Sequence, residues 1–425
     1  MNSEESKRHK GRGRRFANGN EKTNTEHENF QNNSNLEMNE KIENNNYPEN
    51  ENMRNENNFY KTETTEDMRN ENPTEKKQKK TKKHKALRVI LTIIIILAII
   101  CLSAYLALNQ YLNSKLDKIQ YQNITTDANE LGIDATTQKK MSNFKNIALL
   151  GIDAMGDDYG EGNRTDCIMI ASINEDTNEV KLFSIYRDTY VQMEIQGKTI
   201  LDKINHAYYD GVTNTIKTIN TNLDLNITEY VLVNYQVVTD VIDTIGGVDI
   251  TIESDELQYI NSYVDAVAQA TNKKATHVSK AGTQTLNGVQ AVAYSRIRYT
   301  TGKDYKRTAR MRTVLEAIIQ KAQSQGIQKE LTLLNTILPE AQTNISTSEM
   351  KELIPKAVSW KLTSNFGWPY NTTGIWMNGD FYGPAVTLES NVIQLHKEVF
   401  GEESYESSDT VKAISAAVIK KTGLK

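Results

Sequence analysis

The sequence predicts an α/β fold: a three-layer α/β/α domain with a central mixed sheet, preceded by one transmembrane helix and a disordered N-terminal tail. Three observations carry this. Residues 1 to about 75 are dominated by Asn, Glu, Lys and Thr, with almost no aliphatic side chains. Val89 to Leu108 carry no charge. Beyond residue 143, short apolar runs alternate with stretches of helical spacing, the pattern of a sheet covered by helices.

The tail buries too little apolar surface to offset the entropy of ordering it. It ends, at residue 85, in a basic run of Lys76, Lys77, Lys79, Lys80, Lys82, Lys83, His84 and Lys85, with Arg88 just beyond. The apolar stretch that follows (residues 86–109) matches the roughly 20 residues that span a bilayer as a helix. Positive flanks stay on the cytoplasmic side, so the tail is expected inside and everything after Asn109 outside. A buried core helix is one other reading, disfavoured because the isoleucine-rich run is apolar on every face. A cleaved signal peptide is another. It fits less well, because the segment is long, lies far from the start and lacks a small-x-small cleavage site. Beside such a helix the lysine run reads as a topology signal, not as a nucleic-acid site, and no nucleic-acid partner is expected.

Residues 110–142 read as a short stalk, with Leu112, Leu116 and Ile119 on one helical face. Residues 143–425 form the outer domain. Strands are predicted over Asn146–Ile152, Cys167–Ile173, Val180–Ile185, Tyr230–Val233 and Val248–Ile252. Helices are predicted over Ile204–Asn222, Val237–Ile245, Glu256–Ala270, Gly288–Tyr294 and Lys306–Gln323. Two further helical stretches, a Gly-, Trp- and Tyr-bearing segment (Phe366–Pro384), a strand (Ala385–Leu388) and a helix (Asn391–Phe400) follow, with a loosely held end. Of the two cysteines, Cys101 lies in the membrane segment and Cys167 outside it, so the outer domain has no internal disulfide and rests on its own core.

Three constellations carry candidate chemistry. Asp153 leaves one predicted strand and Asp166 enters the next, which would put both carboxylates at one sheet edge. Such edges take ligands, and magnesium takes one or two carboxylates plus substrate phosphates. Two loop aspartates satisfying turn amides is the alternative, and spacing alone favours it. Arg187-Asp188 directly follows a strand, where a guanidinium fork suits a phosphate; a local surface pair is the alternative. Arg296, Arg298, Asp304, Arg307 and Arg310 crowd into YSRIRYTTGKDYKRTAR. Residues two apart in an extended segment point one way, and residues three apart share a helix face, at a helix start that already favours anions. A solvated charge run is the alternative; placement at element ends favours a multi-anionic ligand. The sequence has no G-x-S-x-G, HExxH or Walker A loop, which removes support for serine hydrolase, zincin and ATPase chemistry. Arginines with carboxylates suit phosphoryl transfer, where the protein positions groups and stabilises charge.

The pieces NIALLGID, RTDCIMIASI, SIYRDTYVQM, DKINHAYYDG, DTIGGVDITI, KAGTQTLNGVQAVAYSRIRY and DYKRTAR resemble, in order and spacing, the LytR-CpsA-Psr (LCP) proteins of bacterial cell-envelope assembly. The resemblance implies a phosphotransferase of the Gram-positive cell membrane with an extracellular catalytic domain. It would move an anionic glycopolymer, such as a teichoic acid or capsular polysaccharide, from undecaprenyl pyrophosphate to N-acetylmuramic acid of peptidoglycan. It implies an apolar cavity for the polyprenyl tail. It also implies Mg2+ (or Mn2+) on Asp153 and Asp166, and a pyrophosphate gripped by Arg164, Arg187, Arg296, Arg298 and Arg307 with Arg310 in support. Asp188 or Asp304 would take the acceptor's proton or orient a neighbouring arginine. Two positions depart from the family pattern: Met311 stands where a glutamine is common, which puts one polar contact near the phosphates in question, and Tyr186 where a proline is common. Two other functions use the same features: hydrolysis of prenyl pyrophosphates, and a non-catalytic wall-binding regulator.

Overall fold

The computed structural model describes residues 73–116, 120–152, 159–326 and 340–425. The expected disordered tail as far as residue 72, Asp153 and part of the helical stretch after Gln323 lie outside the described residues; the end of that tail, Pro73–Lys85, is helical. Of the unit formed by Met1–Lys79, only the first residues of a helix are described; the unit Lys80–Lys425 carries the rest.

Helix α1 (Pro73–Leu116) contains Ile90–Tyr111, long and apolar enough to cross a bilayer, with a mean hydropathy of 2.9. Ile90 to Leu106 are exposed on every face, which in water would leave a large apolar surface uncovered.

A seven-stranded mixed sheet forms the centre. It contains β1 (Gln120–Tyr121), β2 (Phe144–Ile152), β3 (Thr165–Asn174), β4 (Glu179–Ile185), β7 (Glu229–Val233), β10 (Gln342–Thr343) and β11 (Lys361–Trp368), in the order β1-β10-β7-β2-β3-β4-β11. β2 runs parallel to β7 and antiparallel to β3. Four of the first five predicted strands lie in this sheet; the fifth, Val248–Ile252, pairs instead in a separate two-stranded sheet. The residues read as a stalk are partly domain: β1 joins the sheet edge, the short helix α2 (Ala135–Lys140) follows, and Leu131 and Met141 are fully buried.

Alternation along β2 divides the core. Ala148, Leu150 and Ile152 face one layer with helix α3 (Gly211–Leu223) and the C-terminal helices α9 (Leu388–Phe400) and α10 (Asp409–Thr422). The C-terminus is therefore packed, not loose: Val411, Ile414 and Val418 are buried. Ile147 faces the other layer, with Met350 of α8 (Thr347–Ala357). Helices α4 (Tyr235–Thr244), α5 (Ser254–Ala270), α6 (Gly288–Arg296) and α7 (Lys303–Gln325) make a separate apolar cluster with the hairpin of β8 (Val248–Ile252) and β9 (Gly282–Leu286).

Two predicted elements differ. The strand Ala385–Leu388 is an isolated bridge from Ala385 to Thr372, because the Thr387 hydroxyl caps α9 at that point. The predicted helix from Ile204 opens as a 3-10 turn (Ile204–Asp210), broken by Gly211 at φ 81° before α3. The hairpin β5 (Tyr190–Ile195) and β6 (Lys198–Lys203), turned by Gln196-Gly197 at positive φ, was not predicted. Such turns match the twist of their strands.

Candidate active site

A β-bulge sets the centre of the site. Gly151 pairs with Cys167 and Ile152 pairs with Thr165, so Asp166 has no partner across the ladder. An extra residue of this kind re-aims its side chain. Gly151 is required here, since a Cβ would lie 2.9 Å from the Cys167 Cβ.

Three guanidiniums converge on Asp166. Arg187, just past β4, donates through Nη1 to both carboxylate oxygens at 3.0 and 2.9 Å. Arg298 reaches Oδ2 from Nη2 at 3.4 Å, and Arg307 reaches it from Nη1 at 3.4 Å. Asp304, in the first turn of α7, lies against the same three: 3.3 Å from Arg187 Nε, 3.9 Å from Arg298 Nε and 3.1 Å from Arg307 Nε. Asp188 is 3.7 Å from Arg187 Nε. Three cations and three anions therefore share one strand-end pocket. The buried Nε atoms of Arg187 and Arg307 are ion-paired with Asp304 but make no well-aligned hydrogen bond among the described residues, which suits them to an anion that can complete the geometry.

The carboxylates differ electrically. Burial pushes Asp166 up, but Arg187, Arg307 and Arg298 outweigh it and hold the group below the ordinary range. Burial raises Asp188; Arg187 opposes this, Asp304 adds to it, and the net shift is upward. Burial pushes the Cys167 thiol to about 12, which makes it an apolar wall group and no nucleophile.

An apolar cavity of about 260 Å³ opens beside Asp166, between the sheet and helices α4, α6 and α7. Leu149, Met169 and Val231 of the sheet face Val241, Val314 and Ile318 of the helices. Asp166 belongs to the cavity wall and to the arginine cluster alike. Met311 also lines it, so the methionine in the glutamine position adds apolar wall. The Tyr186 ring packs edge-on against Tyr305 at 4.7 Å. It fits only because Gly367 has no side chain, as a Cβ there would meet the hydroxyl.

Not every expected arginine joins the cluster. Arg296 is the last residue of α6 and stacks on Tyr235, 4.4 Å from its centroid. The extended segment assumed for Arg296 and Arg298 is a helix end there. Arg310 is 2% exposed and points elsewhere: Nε donates to Glu256, Nη1 to the Ile297 carbonyl and Nη2 to Thr300. It braces the loop that carries Arg298 and is a positioning residue, not a grip on the ligand. Arg164 is exposed and makes no ion pair with a described residue. Asn205, which sequence reasoning passed over, donates to Asp166 Oδ1 at 3.3 Å. The β5–β6 hairpin returns it there, with its backbone N–H bonded to the Arg187 carbonyl. Its signal lay within DKINHAYYDG, but a lone asparagine carries no chemistry by itself.

Among the described residues no group of three or more His, Cys, Asp or Glu is arranged to hold a metal. The donors present still fit magnesium in kind, since Asp166 offers hard oxygen beside cations that recruit phosphate, and magnesium completes its shell with substrate oxygens and water.

A strand-end arginine cluster at the mouth of an apolar cavity defines an α/β/α protein shaped for an amphiphile with a charged head. The chain belongs to the LytR_cpsA_psr (LytR-CpsA-Psr) family, whose model matches residues 106–393. It is 34% identical over 230 residues to the polyisoprenyl-teichoic acid–peptidoglycan teichoic acid transferase TagU of Bacillus cereus, covering 54% of this chain and 67% of that one. It is 33% identical over 252 residues to the protein of the same name from Bacillus mycoides, covering 58% and 75%. The fold matches a crystal structure from Streptococcus agalactiae at a TM-score of 0.52 and 21% identity, over 68% of this chain and 97% of that one.

Proposed function

We propose that this protein is a membrane-anchored phosphotransferase that moves an anionic glycopolymer from a polyprenyl-pyrophosphate carrier to a hydroxyl of peptidoglycan N-acetylmuramic acid. The carrying observation is that Asp166 lies at once in the wall of the apolar cavity and under three guanidiniums. Adjoining sites for an apolar tail and a multiply charged head fit one class of ligand, a prenyl pyrophosphate. The TagU relatives are transferases named for a polyisoprenyl-linked teichoic acid donor and a peptidoglycan acceptor, which agrees with this reading. The α1 segment anchors the chain once, tail inside, with the domain on the outer face where carrier and wall meet.

In this reading Arg187, Arg298 and Arg307, held by Asp166 and Asp304, present their other N–H groups to the pyrophosphate oxygens. They are preorganised, and the charge they meet grows in the transition state. Asp304 orients the three. The acceptor oxygen bonds to the polymer-side phosphorus as the bridging P–O bond breaks, and prenyl phosphate leaves with the electron pair. Asp188 takes the hydroxyl proton; its upward-shifted pKa suits a base better than the depressed Asp166. Magnesium, held by Asp166 with Asp153, would neutralise pyrophosphate charge. Full-length protein in detergent, given a lipid-linked wall polymer and peptidoglycan fragments, should release prenyl phosphate and yield polymer-bearing muropeptides. Free polymer phosphate instead would assign hydrolysis, and no turnover with any wall-polymer donor would leave the non-catalytic reading.

A further inference from the structure

The segment after β11 forms a hairpin of β12 (Ile375–Met377) and β13 (Asp380–Tyr382). Its two-residue turn, Asn378-Gly379, takes φ of 51° and 92°, the left-handed pair of a tight hairpin turn. Trp376 pairs with Phe381 across the ladder, and their rings meet edge to face at 5.7 Å. Because side chains alternate, Met377 and Tyr382 turn inward onto the core while Trp376 stays outside, 73% exposed. Of the three tryptophans it is the most exposed; Trp368 is fully buried.

The hairpin is tied to the charged site. Gly383, the next residue, donates its N–H to the Asp188 carbonyl at 2.8 Å. Tyr382 meets Tyr190 edge-on at 4.9 Å. Lys203 lies 3.8 Å from Asp380 of the hairpin and is close enough to Asp188 to act on its charge. Phe381 is two residues from Gly383, about 7 Å of strand. Asp380 stands opposite Met377 in the ladder, on the inner side with Lys203 and the Tyr382 ring, so the outer face of the hairpin carries the Trp376 and Phe381 rings.

We propose that the outer face of this hairpin seats the acceptor glycan strand, with Trp376 stacked on a pyranose ring and the strand led toward Asp188. The inference rests on the transferase reading above and names the acceptor side of that site. A pyranose has an apolar C–H face and a rim of hydroxyls and amides. The exposed Trp376 indole, on a hairpin tied through Gly383 to the Asp188 carbonyl, answers the apolar face.

The test uses full-length protein in nanodiscs and peptide-free glycan strands prepared from peptidoglycan, with no lipid donor present. Trp376→Ala should weaken strand binding about tenfold, and Trp376→Phe should keep most of it. Arg298→Ala should bind strands like the wild type while losing transfer, which separates this inference from the reading it rests on. In turnover, Trp376→Ala should raise KM for the strand and leave KM for the lipid donor in place. Equal strand binding by Trp376→Ala overturns the proposal. Quenching of tryptophan fluorescence by brominated lipids that vanishes in Trp376→Phe would also overturn it, and assign the platform to the membrane.

Discussion

Arg310 Nε and Glu256 Oε1 lie 2.7 Å apart with both side chains almost completely buried, 2% and 1% exposed. The pair joins α7 to α5, and the Nη1 and Nη2 groups of Arg310 hold Ile297 and Thr300 on either side of Arg298. Removing one partner of such a pair strands a charge and costs about 3–5 kcal/mol. Arg310→Met should therefore lower the melting temperature strongly, and Glu256→Gln less, because an amide still accepts from the guanidinium. Thermal melts of the two variants check this; a melting temperature unchanged in Arg310→Met would show that the pair is dispensable.

Arg298 is the exposed member of the cluster, 45% open to solvent, so its loss should leave the fold intact. If it acts as a preorganised donor to developing charge, Arg298→Ala should cost about 2–4 kcal/mol of transition-state stabilisation. In kcat/KM for the lipid-linked donor, a drop of less than about tenfold, or 1.4 kcal/mol, would remove Arg298 from the set.

What was legible in the sequence follows from locality. Asp166, Arg187, Asp304 and Arg307 sit at element ends, and the periodicity of β3, β4 and α7 gives those ends. Arg296 was misread because the Asn287–Gln290 capping box starts a helix that runs through it, where the two-residue rule of strands fails. Arg310 shares the helical spacing of Arg307, yet its partner Glu256 lies 54 residues away, and spacing within a helix says nothing of that. β1 and β10, two residues each, are too short to show a pattern. β11 belongs to the sheet only through its pairing with β4 across the chain. The cavity was implied by family resemblance alone, because an apolar residue lining a void reads like one filling a core.

Asp166 and Asp188 should give opposite pH signatures. The folded pKa of Asp166 is depressed. Its ionised form therefore adds stability that is present above the unfolded value of about 3.9 and is lost as pH falls through the folded value. Asp166→Asn should flatten that acid limb, and should weaken magnesium binding measured by calorimetry with a pyrophosphate present.

The folded pKa of Asp188 is raised. Its ionisation therefore opposes folding, by an amount absent below about 3.9 and complete only above the folded value. Asp188→Asn should melt higher than wild type at neutral pH, match it in acid, and lose transfer. The acid limb of wild-type kcat/KM should fall above the ordinary aspartate range. A variant that melts lower at neutral pH would contradict the assignment.

The cavity offers the sharpest test of the lipid. Leu315 lines it from α7 and is only half-buried, so a larger side chain there enters the void before it meets the core. Leu315→Trp should fill much of the 260 Å³ and hold its melting temperature within a few degrees of wild type, since the ring occupies empty space and does not overpack a filled one. Leu315→Ala enlarges the same space. Organic extracts of the purified proteins, read by mass spectrometry, should yield a prenyl phosphate or pyrophosphate from the wild type and from Leu315→Ala, and none from Leu315→Trp. Equal lipid in all three would mean that the tail lies elsewhere, and would detach the apolar cavity from the arginine cluster at its mouth.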